Sequence, residues 1–485
     1  GTKEAVVSED GRTAFLAVTD GFAAVDVSDP AAPVVVSETR DILADREQGP
    51  LRRIWDVKCE DDRLVVASQG GANGDLFAFV VYDVSDPANP RQQLVKEVPG
   101  SIHNCDLHDG HVYVTGLHAN HHSEETAVPS VPVEIYDARE EGAPKVADWS
   151  PLDRDEAWAD VPARNRVIHD VSVVAGRAYL AYWDAGAVLL DVSDPTTPSF
   201  LSRVGEFSPE DLAAMSAAEL DAEATEGPEG NAHYVTGSGD GSLFGVGKEA
   251  WDDPDTEGGG PGGIDLYDAS DPTDPAKRAT IGPEPSPDET YGGVWTTAHN
   301  FEIRGDRLYS SWYRAGVKIH DVSDPENPEL LAWWLRPRAT SFWTAQAGVE
   351  GEFFVASSAD DPGARLSESR ESLYTFPDTA GEQADRPSLS NLVTPTVTST
   401  ETAGGPSPSR TEDVSGSDEG GPTPTATSGT EPTPPEPTPT DRETATGSPG
   451  ERSPTGTTRT DGQPGFGVLA ALGGAAIGAY RYLSE

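Results

Sequence analysis

Cysteine, methionine and basic side chains are what this sequence has least of. Only two cysteines, Cys59 and Cys105, stand in 485 residues, too few for a disulfide framework. Both fall in apolar, strand-like runs and read as buried free thiols, with a single bridge or a metal as the alternatives. Lys and Arg number 34 against 83 Asp and Glu, for a formal net charge of -49. Such a surface repels a polyanion, and no Lys/Arg-rich run overrides it, so nucleic acid is not the expected partner. No Asn-x-Ser/Thr sequon occurs, so any glycan has to be O-linked. The G-x-S-x-G, P-loop, H-E-x-x-H and dinucleotide-binding fingerprints are missing too, which leaves no strong catalytic motif. The region after Gly1 holds no apolar segment, so a signal peptide is expected to be removed or to lie outside this sequence.

What the chain does have is repetition. Six turns recur: VDVSDPAAP (Val25 to Pro33), YDVSDPANP (Tyr82 to Pro90), YDAREEGAP (Tyr136 to Pro144), LDVSDPTTP (Leu190 to Pro198), YDASDPTDP (Tyr267 to Pro275) and HDVSDPENP (His320 to Pro328). Asp and Ser side chains bond nearby backbone N–H groups and Pro fixes the chain direction, so each is a rigid link between strands. Upstream of each lies a second pair of short strands joined by Gly or Asp, as in LHDGHVYVTG and VVAGRAYLAYW, residues suited to the positive φ of a tight hairpin. Four short antiparallel strands in about 40 residues form the unit of a β-propeller. A seventh, imperfect copy runs from Ser341 to Asp378. The expected fold is all-β, a seven-bladed propeller over residues 1–380, with six blades as the competitor. Insertions extend it at HANHHSEETAVPS and DDPDTEGGGPGG, both read as solvated loops, and at Ser208 to Ala224, read as one helix capped by Ser208.

Beyond residue 380 the character changes. Residues 381–463 are rich in Thr, Ser, Pro, Gly and Glu. Such a composition cannot bury enough apolar surface to fold, so a disordered, O-glycosylated stalk is expected. Residues 464–485 follow, with PGF at Pro464, Gly465 and Phe466, an uncharged run from Gly467 to Tyr480, and Arg481. That run is short for a spanning helix.

Two resemblances rest on these residues. The repeat GRAYLAYWDAGAVLLDVSDPTTP resembles the LVIVD-repeat family, which implies a propeller, often exported, without one settled activity. The C-terminus resembles the PGF-CTERM signal of archaeal surface proteins. That likeness, carried by Pro464, Gly465 and Phe466, implies that an archaeosortase removes the segment and that the new C-terminus receives a lipid. The acidic excess, spread over the inter-strand loops, resembles that of proteins from salt-loving archaea. Together they imply an extracellular, membrane-associated protein displayed at the S-layer.

Histidines hold the remaining signal. His103, His169 and His299 each fall seven residues before the hairpin Gly or Asp, and His233 lies within one residue of that phase. Glu4, Trp55 and Trp343 or Thr344 occupy it in the other blades. First strands line a propeller's channel, so these positions form one ring, and four neutral imidazoles with Glu4 could hold Fe, Cu or Zn. The alternative is that each His bonds a neighbouring blade's backbone and recurs because the blade recurs. The expected function is a surface-anchored binding or scaffold module for an unknown partner or small ligand. Its rival is a metal-dependent enzyme, perhaps an oxidoreductase, using that ring.

Overall fold

The computed structural model describes residues 1–70, 75–116, 131–227, 229–253, 258–360, 371–382 and 387–392. His118, His121 and His122, part of the acidic insertion, the stalk and the C-terminal motif lie outside them.

Seven antiparallel sheets follow one another along the chain. Blade 1 is built from Thr2–Val7, Thr13–Val18, Gly21–Asp26 and Val34–Arg40, paired in chain order. Blades 2 to 6 repeat that plan, and blade 7 has three strands, Phe342–Val349, Phe353–Ser358 and Ser372–Pro377. The first hairpin of a blade is tightest where two residues suffice. Val174 pairs with Arg177, and Ala175 and Gly176 between them both have positive φ, which matches the strands' twist. The repeated Asp-Pro turn joins strands three and four. Asp191 accepts the Ser193 N–H at 2.9 Å, and Asp194 accepts the Thr196 N–H at 3.0 Å. The same pairs recur at Asp26 and Ser28, Asp83 and Ser85, Asp268 and Ser270, and Asp321 and Ser323.

Alternation along each middle strand builds the core, because successive side chains leave opposite faces. Leu64 and Val66 pack towards blade 1 with Phe15 and Phe22, whereas Val65 and Ala67 pack towards blade 3 with Leu107 and Val112. The pattern continues around the ring to a cluster joining Phe353 and Val355 of blade 7 to Leu16 and Val25 of blade 1. Carboxylates staple neighbouring blades, Asp56 buried and the other two half-buried: Asp56 accepts the Cys105 N–H at 2.7 Å, Asp106 that of Val173 at 2.5 Å, and Glu302 that of Ala347 at 2.6 Å.

Two details differ from the sequence reading, and a third agrees with it. The insertion after Ser208 forms two helices, Pro209–Ala214 and Ala217–Glu226, because Ser216 caps a second start with Glu219 and Met215 is extended. Past residue 380 the chain stays with the propeller. Gly381–Glu382 pairs in parallel with the outer strand of blade 6, and Leu389 and Leu392 join the apolar cluster there. Cys59 and Cys105 are both free thiols, and burial pushes Cys59 up to about 12.

Candidate functional site at the channel end

The first strands of the blades start beside the axis, and four of them slip register at their second or third residue. The slips fall between Thr2 and Ala5, Ile54 and Asp56, Ala232 and Tyr234, and Phe342 and Thr344. A bulge lets neighbouring residues share one side of a strand, which regular alternation forbids. Consecutive residues line the channel as pairs: Trp55 with Asp56 at one of these slips, and His103 with Asn104, His169 with Asp170 and His299 with Asn300 in blades 3, 4 and 6, where Thr115, Ala181 and Ser311 each face both members of a pair. They surround a narrow cavity of about 10 Å³, room for one water or ion, which Glu4, His233 and Trp343 also border.

The upper members form a closed ring of side chains. Centroids lie 6.1 Å apart from Trp55 to His103, 4.0 Å to His169, 3.8 Å to His233, 4.7 Å to His299 and 4.1 Å to Trp343. Trp343 then meets Trp55 at 6.0 Å. Lys3 completes the seven, its ammonium 4.0 Å from the Trp343 ring and 5.0 Å from that of Trp55, a cation on two aromatic faces. The four histidines proposed from sequence are thus neighbours on one arc. Glu4 is not on it. The first hairpin of blade 1 is longer, with Ser8 bonded to Thr13 across four residues. Counting back from its glycine therefore lands one place deep, and Lys3 holds the ring position.

Glu4 lies in the layer beneath, where Asn300 donates to it at 2.6 Å. Asn104 donates to Asp170, and Lys58 pairs with Asp56. Burial raises Glu4 to about 7 against the opposing pull of Lys58, and raises Asp170 well above the carboxylate range.

A further layer comes from the residue just past strand two of blades 4 to 6: Trp183, Glu249 and Tyr313. Trp183 contacts His169 at 5.4 Å and His233 at 6.0 Å, and Tyr313 contacts His299 at 4.8 Å, all between centroids. Trp183 and Tyr313 both have positive φ, 49° and 41°. Glu249 lies 3.3 Å from His233 Nε2 and accepts the Tyr313 hydroxyl at 2.5 Å. Sequence reasoning missed this layer. The signal was a doublet at one place in three blades: Tyr182-Trp183, Lys248-Glu249 and Trp312-Tyr313.

Tautomer and charge follow from partners. His299 Nδ1 is 2.6 Å from the Trp343 carbonyl, an acceptor only, so Nδ1 carries the proton and Nε2 presents a lone pair. That contact is the neighbouring-blade bond that the structural alternative requires, yet it occupies only one ring nitrogen. Nε2 is buried and, among the described residues, has no hydrogen-bond partner. Burial pulls His299 down to about 3, so its ring is neutral, and burial raises Glu249 to about 7. Among the described residues, donor atoms of His233, His299 and Glu249 lie within 4.8 Å of one another. His169, buried, and His103, partly exposed, extend the arc from this trio.

Comparison with known proteins agrees with this architecture. Residues 6–41 and 166–205 match the family model of the LVIVD repeat. The chain is a repeat β-propeller. Its fold is similar to the crystal structure of RRP9 WD40 repeats, with a TM-score of 0.51 and 10% identity over 78% of this chain and 94% of that one. It is equally similar to the structure of U3-55K, with a TM-score of 0.51 and 10% identity over 78% and 95% of the two chains. At that identity the likeness concerns the fold alone. No curated protein matches the sequence. The propeller's site therefore has to be read from its own residues.

Proposed function

We propose that this protein is an exported, surface-anchored binding module that takes a small ligand at one end of its propeller channel. The observation that carries the reading is the ring itself. Six aromatic or imidazole side chains and Lys3, one per blade, surround a cavity lined by buried polar groups, apolar walls with a few convergent polar groups as in a ligand site, at the scale of a water or an ion. Export and anchoring are supported by the sequence beyond the propeller, where a Thr/Pro-rich stretch precedes Pro464, Gly465 and Phe466. An archaeosortase would cut there and a lipid would replace the apolar segment, lifting the propeller from the membrane on its stalk. The acidic surface suits display in concentrated salt.

Two measurements test the reading. Native mass spectrometry of the protein isolated from its own cells is expected to show a bound small ligand, lost in a Trp343→Ala variant; a bare protein, or a ligand indifferent to the substitution, contradicts ligand binding at the channel. Fractionation with C-terminal mass mapping is expected to find the chain in the envelope and cut near Pro464. A cytosolic chain intact through Glu485 contradicts anchoring.

A further inference from the structure

We propose that His233, His299 and Glu249 hold one first-row divalent transition metal ion, of the Zn²⁺ or Co²⁺ kind. This deepens the binding reading by naming the ligand class, and it rests on the channel end being the site.

Donor chemistry comes first. Two imidazole nitrogens and one carboxylate suit Zn, Co, Fe or Cu, whereas Ca²⁺ and Mg²⁺ take oxygen. Geometry comes second. Metal bonds of about 2.0–2.2 Å at tetrahedral angles place donors about 3.3–3.6 Å apart, and His233 Nε2 stands 3.3 Å from Glu249. The trio spans up to 4.8 Å, so the His299 side must close by about 1 Å, a displacement that a side-chain rotation supplies.

The strongest observation is the unused lone pair. His299 is 2% exposed, and among the described residues its Nε2 has no partner, an unfavourable condition for a buried polar group. Its Nδ1 is meanwhile fixed on the Trp343 carbonyl. Metal-bound imidazoles are oriented in this way, with the far nitrogen donating to a backbone oxygen. Glu249 is prepared likewise, one oxygen taken by the Tyr313 hydroxyl and the other turned to His233. A carboxylate buried among aromatic rings lacks nearby water to solvate its charge, and a divalent ion in contact supplies the compensation. Three protein ligands leave coordination open to an exogenous molecule, as in metal sites that bind or transform a substrate. The ligand set thus differs from the one expected from the sequence: His103 and His169 fall outside it, and Glu249 takes the place of Glu4.

The test uses the full chain, stripped with a chelator and titrated with Co²⁺. One equivalent is expected to bind, with the visible d–d absorption of a four-coordinate ion, and to be displaced by Zn²⁺. His299→Gln and Glu249→Gln are each expected to weaken binding at least tenfold. Tyr313→Phe, which removes only the hydroxyl that orients Glu249, should weaken it less and shift the cobalt spectrum. His108→Ala, on an exposed part of blade 3, should bind normally. No stoichiometric cobalt, or unchanged affinity in folded Tyr313→Phe and either ligand variant, overturns the proposal. Retention of an organic ligand by chelator-treated protein that binds no cobalt would leave the binding module standing and remove the metal.

Discussion

Titratable residues in this propeller fall into two groups with opposite signs. In the Asp-Pro turns, Asp26, Asp83, Asp191 and Asp321 are held below the usual carboxylate value, chiefly by the Ser hydroxyl two residues on. Asp268 is brought to about 2, first by the Ser270 N–H. A carboxylate whose value is lower folded than unfolded contributes stability above its unfolded value of about 4, lost as pH falls through the folded one. Buried acids behave the other way. Burial raises Glu4, Asp184 and Glu249 to about 7 and Asp106 to about 6. Their contribution is intact below the unfolded value and declines as pH rises towards 7. Metal-free protein should therefore be most heat-stable near pH 4–5 and melt earlier at both pH 2.5 and pH 7.5. Scanning calorimetry in about 1 M salt, which shortens the Debye length to about 3 Å, separates this from repulsion among surface charges. A melting temperature that climbs steadily from pH 5 to 8 would contradict the assignment of the buried acids.

At the scale of elements, the hairpins and turns were legible because short-range chemistry dictates them. Asp-x-Ser and Gly at fixed offsets need no tertiary partner. The ring was legible in phase, since a residue at one offset in several blades must return to one height in the channel. Two things were not. The longer hairpin of blade 1 shifted the count by one, which put Glu4 where Lys3 belongs, and the bulges that let consecutive residues face the channel leave no mark in composition. Glu249 was hidden for a different reason. It sits past the second strand, not on the first, and meets His233 only through tertiary packing. The element beneath Tyr313 also carries a test. Gly316 has φ 88°, and a Cβ there would stand 2.0 Å from the Trp334 carbonyl oxygen. Gly316→Ala is expected to cost about 2–4 kcal/mol in chemical denaturation. Gly351→Ala, at φ 76° with nothing within 4 Å of the new atom, should cost only about 1 kcal/mol. Equal losses would show that backbone conformation alone, not the close approach, governs both.

Over the whole molecule, seven blades could be counted from the sequence because the chain writes the Asp-Pro turn five times, a variant of it once as YDAREEGAP, and a plain strand run once. Composition marked the start of the stalk, but the last packed residues were invisible to it. Leu389 and Leu392 are among few apolar residues in a Ser- and Thr-rich stretch, and the cluster at blade 6 explains them. The arrangement around the axis gives the molecule its chemistry. Each blade brings a residue or two to one channel end, and the ring they form offers donors that no single blade has. Cobalt X-ray absorption on the full chain loaded with one equivalent tests that convergence most directly. The account predicts a nitrogen and oxygen shell at about 2.0–2.1 Å with the outer-shell scattering of two imidazoles, reduced to one imidazole in His299→Gln. An all-oxygen shell without imidazole scattering would contradict it, and would return the histidines to a purely structural part in the ring.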